Sequence, residues 1–330
     1  MKKLLTILLI LIVIGAQAQV LRKRSTILMG GRFDITLVAQ DSLTAETNID
    51  TVIAEIARIE NLISDWIPAS QVSMVNDMAG IAPVKVDWEL LLLTERALTL
   101  SKVTKGAFDI SFASMDRVWK FDGTMTAMPS PEAIRKSVEK VGYQNIIINR
   151  NDSTVFLKKK GMKIGFGALG EGYAVDRCRA LMLDRGILSG IVNATGDMSA
   201  WGGQPDGTDW RIGINDPARR GELIAVVPLR DLAVVTSGSY EKFVSFGGKR
   251  YAHIINPATG YPATGLTSVT VFGPSAEQAN GLSTSLMVLG KEKGLALLDL
   301  FPLYKCLMIA DDGNLYSSPN FDLAQFRIPN

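Results

Sequence analysis

The residue best equipped for acid–base chemistry is His253, the one histidine in a chain of 330 residues, set in Tyr251-Ala252-His253-Ile254-Ile255-Asn256-Pro257-Ala258-Thr259-Gly260. An imidazole with an ordinary pKa of ~6.5 exchanges its proton near neutral pH and can serve as a general base. Two isoleucines follow it, so a packed ring and a catalytic one are both open from the residues alone. Thr236-Ser237-Gly238 offers hydroxyls and a permissive backbone, suited to a phosphate or to an ordinary turn. Asn280 and Thr284, four apart, share one helix face. In Gly165-Phe166-Gly167-Ala168-Leu169-Gly170-Glu171-Gly172, small residues carry a strand into a helix, where the main chain can approach a ligand and the helix end carries partial positive charge. Neither a GxGxxG fingerprint nor a GxxxxGK[ST] loop is present, so packing explains that turn as well as binding does.

The elements that must position these groups follow from periodicity. Thr26 to Gln40 alternates as a strand, interrupted at Gly30-Gly31. Ile49, Val52, Ile53, Ile56, Ile59 and Ile63 form one apolar helical stripe, ended by Asp65-Trp66-Ile67-Pro68. Trp66 fits a core plug and the wall of a ring-binding slot equally well. A second helix spans 87–105, and Ser130-Pro131-Glu132 starts a third that Gly142 closes. Residues 145–150 and 154–159 flank a hairpin turn. Strands are expected at 191–197, 210–215, 223–229, 232–235, 243–246, 250–255 and 267–272, the pair around Gly247-Gly248 delivering His253. Ser275 and Gln278 form a capping box for a helix to Gly290; a further helix at 292–300 precedes a hairpin turned at Asp312-Gly313.

Residues 1–18 read as a signal peptide: Lys2 and Lys3, an apolar run from Leu4 to Ile14, and the small-residue site Ala16-Gln17-Ala18. The run falls short of the ~20 residues of a spanning helix, so no stable membrane span is expected. No cysteine stands directly after the cleavage site, so no lipid anchor is expected; the expected location is the periplasm or exterior. The formal charge of +2 falls to about zero without the leader, which excludes a bulk field for nucleic acid or anionic lipid. Residues 19–330 are read as one domain with enough apolar content for a sizeable core.

Three stretches in this order, GALGEGYAVD at 167–176, TSG at 236–238 with HIINPATG at 253–260, and SAEQANGLSTSLMVLG at 275–290, resemble the ApbE family of FAD:protein FMN transferases. The likeness extends from Met29-Gly30-Gly31 through FDIS at 108–111 and Asn193 to Asp197. It implies an α+β fold of two intimately packed lobes, with mixed and mostly antiparallel sheet and FAD between them. The implied reaction esterifies FMN from FAD to a threonine or serine of an acceptor protein in an exported or membrane redox complex, releasing AMP with Mg²⁺ assistance. His253 falls at the family's proposed base. Met29, Trp66, Ala107, Phe108, Asp109, Glu171 and Ile254 fall at flavin dinucleotide contacts, with Gly165 and Thr236, Ser237 and Gly238 in the same shell. Glu171 stands where lysine is common, although a glutamate variant also occurs.

The resemblance places Mg²⁺ on the main-chain oxygen of Ala168, on residue 280 and on Thr284, with Ser283 nearby. The family has aspartate at 280, where this chain has Asn280, and often aspartate at 165, where it has Gly165. An amide oxygen can coordinate Mg²⁺ but brings no charge to a cation that relies on carboxylates. Three readings follow: a transferase, a weakened or inactive FAD-binding protein, and a Mg²⁺-dependent FAD pyrophosphatase. An interaction protein that retained the fold alone is a fourth. Acceptor identity, oligomeric state and any pairing of Cys178 with Cys306 lie beyond the residues.

Overall fold

A computed structural model describes residues 19–219, 221–240 and 242–321; the expected leader at 1–18 lies outside them. The chain opens with β1 (Val20–Leu28) and β2 (Gly31–Ala39), followed by α1 (Ser42–Ile63), α2 (Gln71–Asp77), β3 (Val84–Lys85) and α3 (Trp88–Val103). A 3-10 turn at Ile110–Ser114 precedes α4 (Pro131–Ser137), β4 (Ile146–Asn149), β5 (Thr154–Leu157) and α5 (Gly170–Asp184). Next come β6 (Ser189–Ala194), β7 (Asp197–Trp201), β8 (Trp210–Asn215), β9 (Leu223–Leu229) and β10 (Ala233–Gly238). The chain continues through β11 (Phe243–Phe246), β12 (Lys249–Ala252), β13 (Leu266–Gly273), α6 (Ala276–Leu298), β14 (Lys305–Ala310) and β15 (Leu315–Ser317).

The fold is α+β, organised on an eight-stranded sheet in the order β1-β2-β6-β7-β10-β13-β14-β15. Every strand pair among the described residues is antiparallel, so the sheet is not mixed as expected. One face buries α1, α5 and α6 through residues such as Ile35, Leu37, Ile49, Ile56, Ala174 and Leu282. The other face is covered by the β8–β9 hairpin, where Trp210, Val227 and Leu229 meet Val38, Val234 and Phe272. With both faces covered, β7 and β13 are buried at nearly every position rather than at alternate ones.

The single strand expected at 26–40 is two. Met29 (φ 52°) and Gly30 (φ 76°) form a two-residue turn that pairs Leu28 with Gly31. β1 escaped notice because an edge strand carrying Arg22, Lys23 and Arg24 has no alternation to read. The helix begun by Ser130 ends at Ser137, short of Gly142, because the Ser137 carbonyl accepts from Asp116 N at 3.1 Å. The helices expected at 276–290 and 292–300 are present as two helical runs within α6, parted by the non-helical Gly290 (φ 75°, ψ 179°). Ser275 caps the first of them, its Oγ accepting from Gln278 N at 3.2 Å, while the buried Gln278 side-chain nitrogen finds no partner. Cys178 and Cys306 are buried and unpaired.

Candidate functional site

The helices α5 and α6 cross at Gly172, where a Cβ would fall 2.4 Å from the Ala276 carbonyl oxygen. Glycine is therefore required for their contact. Asp176, one turn along α5, clamps the crossing: its Oδ2 accepts from Ser275 Oγ at 2.7 Å and from Glu277 N at 3.0 Å. Burial pushes the Asp176 carboxyl above the usual carboxylate range against these donors. This clamp sets Glu171 of α5 and Asn280 and Thr284 of α6 along one wall of a cleft of about 770 Å³.

The cleft is lined by Trp66, Ala107, Phe108, Asp109, Gly165, Ala168 and Glu171, by Thr236, Ser237 and Gly238, and by His253, Ile254, Asn280 and Thr284. Of the residues expected at the site, Met29 and Ser283 alone do not line it. Met29 turns toward α5, its Cε 3.4 Å from where a Cβ on Gly170 would be, because the hairpin turn it occupies packs on that helix. Ser283 is buried behind the wall, its hydroxyl 2.7 Å from Ser237 Oγ, so it positions a lining hydroxyl instead of facing the cleft. Thr236-Ser237-Gly238 is not a turn; it is the end of β10, with Thr236 Oγ1 2.9 Å from Thr270 Oγ1 on the neighbouring strand.

His253 follows the last residue of β12, outside the main sheet. Its backbone N–H donates to the Lys242 carbonyl at 3.0 Å, and its Nδ1 lies 3.4 Å from the same oxygen. The Phe121 ring centroid lies 6.5 Å from that of the imidazole, the two rings steeply inclined, and the hairpin rests on a separate aromatic cluster that includes Trp119, Tyr251 and Tyr261. The imidazole is exposed, so the packed reading is not what the fold adopts. Trp66 is 73% exposed at the rim, with the Arg117 guanidinium 4.7 Å from its ring centroid. It is not a core plug. Asp109 has little left to offer a ligand: Oδ1 accepts from Ser111 N and Oγ, and Oδ2 from Tyr143 N.

Two carboxylates escaped the sequence reading as site groups. A Cβ on Gly165 would meet Asp65 Oδ2 at 3.4 Å and Ala113 Cβ at 3.1 Å, so an acidic side chain there would crowd a carboxylate already present. Asp197, which opens β7, is buried beside the cleft, and its Oδ2 accepts from Asn280 Nδ2. Burial raises the Asp197 carboxyl well above the usual range, and the Glu171 charge adds to the effect. Glu171 is raised by burial and partly offset by Thr195 and Lys242. Thr195 holds φ 50°, a costly region for a β-branched residue, and from there donates to Glu171 Oε2 at 2.8 Å. Only spacing in three dimensions joins these groups; Asp197 and Asn280 are 83 residues apart in sequence.

The donor set suits a hard divalent cation. The Ala168 carbonyl, the Asn280 amide oxygen, the Thr284 hydroxyl and the Asp197 carboxylate are all oxygen donors bordering one space. No cluster of three or more His, Cys, Asp or Glu with metal-ligand geometry occurs among the described residues, so phosphate oxygens would have to complete the shell. No described helix is long and apolar enough to cross a membrane.

The chain matches the ApbE family over residues 29–308. It is 34% identical over 264 residues to the FAD:protein FMN transferase of Treponema pallidum, covering 76% of this chain and 73% of that one. It is 31% identical over 271 residues to one from Klebsiella pneumoniae, covering 80% and 77%. Among solved structures, the ApbE protein of Thermotoga maritima superposes with a TM-score of 0.83 at 30% identity, covering 91% of this chain and 98% of that one. The apo flavinyl transferase ApbE of Pseudomonas stutzeri superposes at 0.80 and 28% identity, covering 92% and 96%. This chain belongs to the ApbE family.

Proposed function

We propose that this protein is an FAD:protein FMN transferase that acts, after export, on a threonine or serine hydroxyl of an acceptor flavoprotein. The observation that carries the reading is the exposed His253 ring lining the same cleft as the oxygen-bearing residues Ala168, Asp197, Asn280 and Thr284. His253 accepts the proton of the acceptor hydroxyl as its oxygen bonds to the FMN-side phosphorus of FAD. The pyrophosphate bond to the AMP-side oxygen breaks, and AMP leaves with that oxygen. Exposure suits this role, because the nucleophile arrives on another protein.

Mg²⁺, bound at Ala168, Asn280 and Thr284 with Asp197 beside them, would neutralise charge on the pyrophosphate. Ser237, fixed by Ser283 and 3.5 Å from Thr284 Oγ1, presents a hydroxyl on the same wall. Trp66 offers an exposed ring face to the flavin, and Ala107, Phe108 and Ile254 line the slot between the two walls. Residues 1–18 would direct export to the periplasm and be removed there.

The reading is tested by mixing the protein with FAD, Mg²⁺ and an acceptor domain bearing a target threonine, followed by a denaturing gel viewed for flavin fluorescence. Fluorescence on the acceptor that disappears in His253→Ala supports it. AMP and free FMN without label would identify the pyrophosphatase. FAD retained at stoichiometric level without turnover would identify a binding protein.

A further inference from the structure

We propose that Asp197 is the carboxylate ligand of the divalent-cation site in this chain, and that Asn280 is an amide because it holds Asp197. The inference rests on the cation assigned to the cleft in the proposed function and adds the source of its negative ligand. Asp197 starts β7 immediately after the tight turn at Thr195 and Gly196, with its backbone paired to Ala194. Its side chain is 8% exposed and borders the cleft. Among the described residues the one side-chain donor on it is the Asn280 amide, and no lysine or arginine forms an ion pair with it. A neutral amide satisfies one oxygen and leaves the charge uncompensated, while Glu171 on the same wall adds a second negative charge.

A buried carboxylate in that state calls for a counter-ion. The Ala168 carbonyl and the Thr284 hydroxyl border the same space and are the donor types that accompany a carboxylate around Mg²⁺, with substrate phosphates completing the shell. The amide at 280 is matched to this arrangement. With Nδ2 committed to Asp197, its remaining donor for a cation is its carbonyl oxygen, and an aspartate there would instead set two carboxylates in contact with no hydrogen between them. The negative ligand is then supplied by β7 alone, with α6 contributing neutral oxygens.

Direct cation binding tests this without reference to catalysis. Mn²⁺ is titrated into purified protein in the presence of ADP, with free Mn²⁺ read by electron paramagnetic resonance and thermal unfolding followed in parallel. Wild type binds Mn²⁺; Asp197→Asn, isosteric and neutral, binds it at least tenfold more weakly, loses the Mn²⁺-induced rise in melting temperature and melts no lower when metal-free. Asn280→Ala, which keeps the carboxylate, retains more Mn²⁺ affinity than Asp197→Asn. The proposal is overturned if Asp197→Asn binds Mn²⁺ within threefold of wild type, if Asn280→Ala is the weaker binder, or if wild type binds none. Asp197-dependent Mn²⁺ binding without flavin transfer would keep this inference and reject the transferase, and metal-free transfer would do the reverse.

Discussion

The two walls of the cleft are held in opposite ways. The wall made by α5, α6 and β7 belongs to the main core: Asp176 ties the two helices together, Gly172 lets their backbones touch, and Asn280 and Asp197 are buried against each other. The wall carrying His253 belongs to a two-stranded hairpin outside the main sheet, supported by a small aromatic cluster, with the imidazole in solvent. The contrast follows the chemistry. Charge on a pyrophosphate is stabilised by donors fixed in advance in a place with little water, whereas a base serving a second protein's hydroxyl must be reachable.

That contrast predicts which changes harm catalysis alone and which harm the fold. His253→Ala should lower transfer by roughly 10²- to 10⁴-fold, the usual loss on removing a general base, while FAD affinity by calorimetry and melting temperature stay near wild type. A loss of folding would contradict the independence of the hairpin wall. Asn280→Asp should do the opposite: two buried carboxylates in contact would cost metal-free protein about 3 kcal/mol, seen in urea unfolding, and added Mg²⁺ should restore most of it. Trp66→Ala should raise the KM for FAD about fivefold through loss of a ring face worth ~1 kcal/mol. Its effect on thermal unfolding should be small because the ring is exposed.

The smallest effect concerns pH. Asp197 is raised in the folded state above its unfolded value by burial and by Glu171, so its contribution to metal-free stability is full below the ordinary carboxylate range and is lost as pH rises through the raised value. The melting temperature of Asp197→Asn relative to wild type, both in chelator, should therefore increase from pH 5 to pH 8. A flat difference would mean that the carboxylate is compensated by a group other than a cation.

Much of the site was legible because it lies on local signals. The glycine-rich strand-to-helix turn, the Gly247-Gly248 hairpin that delivers His253, and the four-residue step from Asn280 to Thr284 are each written within a few residues. Strands β8, β9 and β11 were readable to their ends for the same reason. What could not be read depends on contacts distant in sequence. Asn280 looked like a damaged metal ligand until β7 brought Asp197 against it, and Gly165 looked like a missing acid until the end of α1 brought Asp65 beside it. Met29 and Ser283 stand off the cleft lining because motif position fixes a backbone location and not the direction of a side chain. β1 was missed since a charged edge strand has no hydrophobic period.

The most direct measurement is the mass of the acceptor after incubation with the protein, FAD and Mg²⁺, with AMP and free FMN quantified by chromatography in the same sample. The account predicts that the acceptor gains one FMN, less water, on a threonine or serine, with AMP released in equal amount and both products lost in His253→Ala. An unmodified acceptor, whether free FMN accumulates or FAD remains intact, would contradict it.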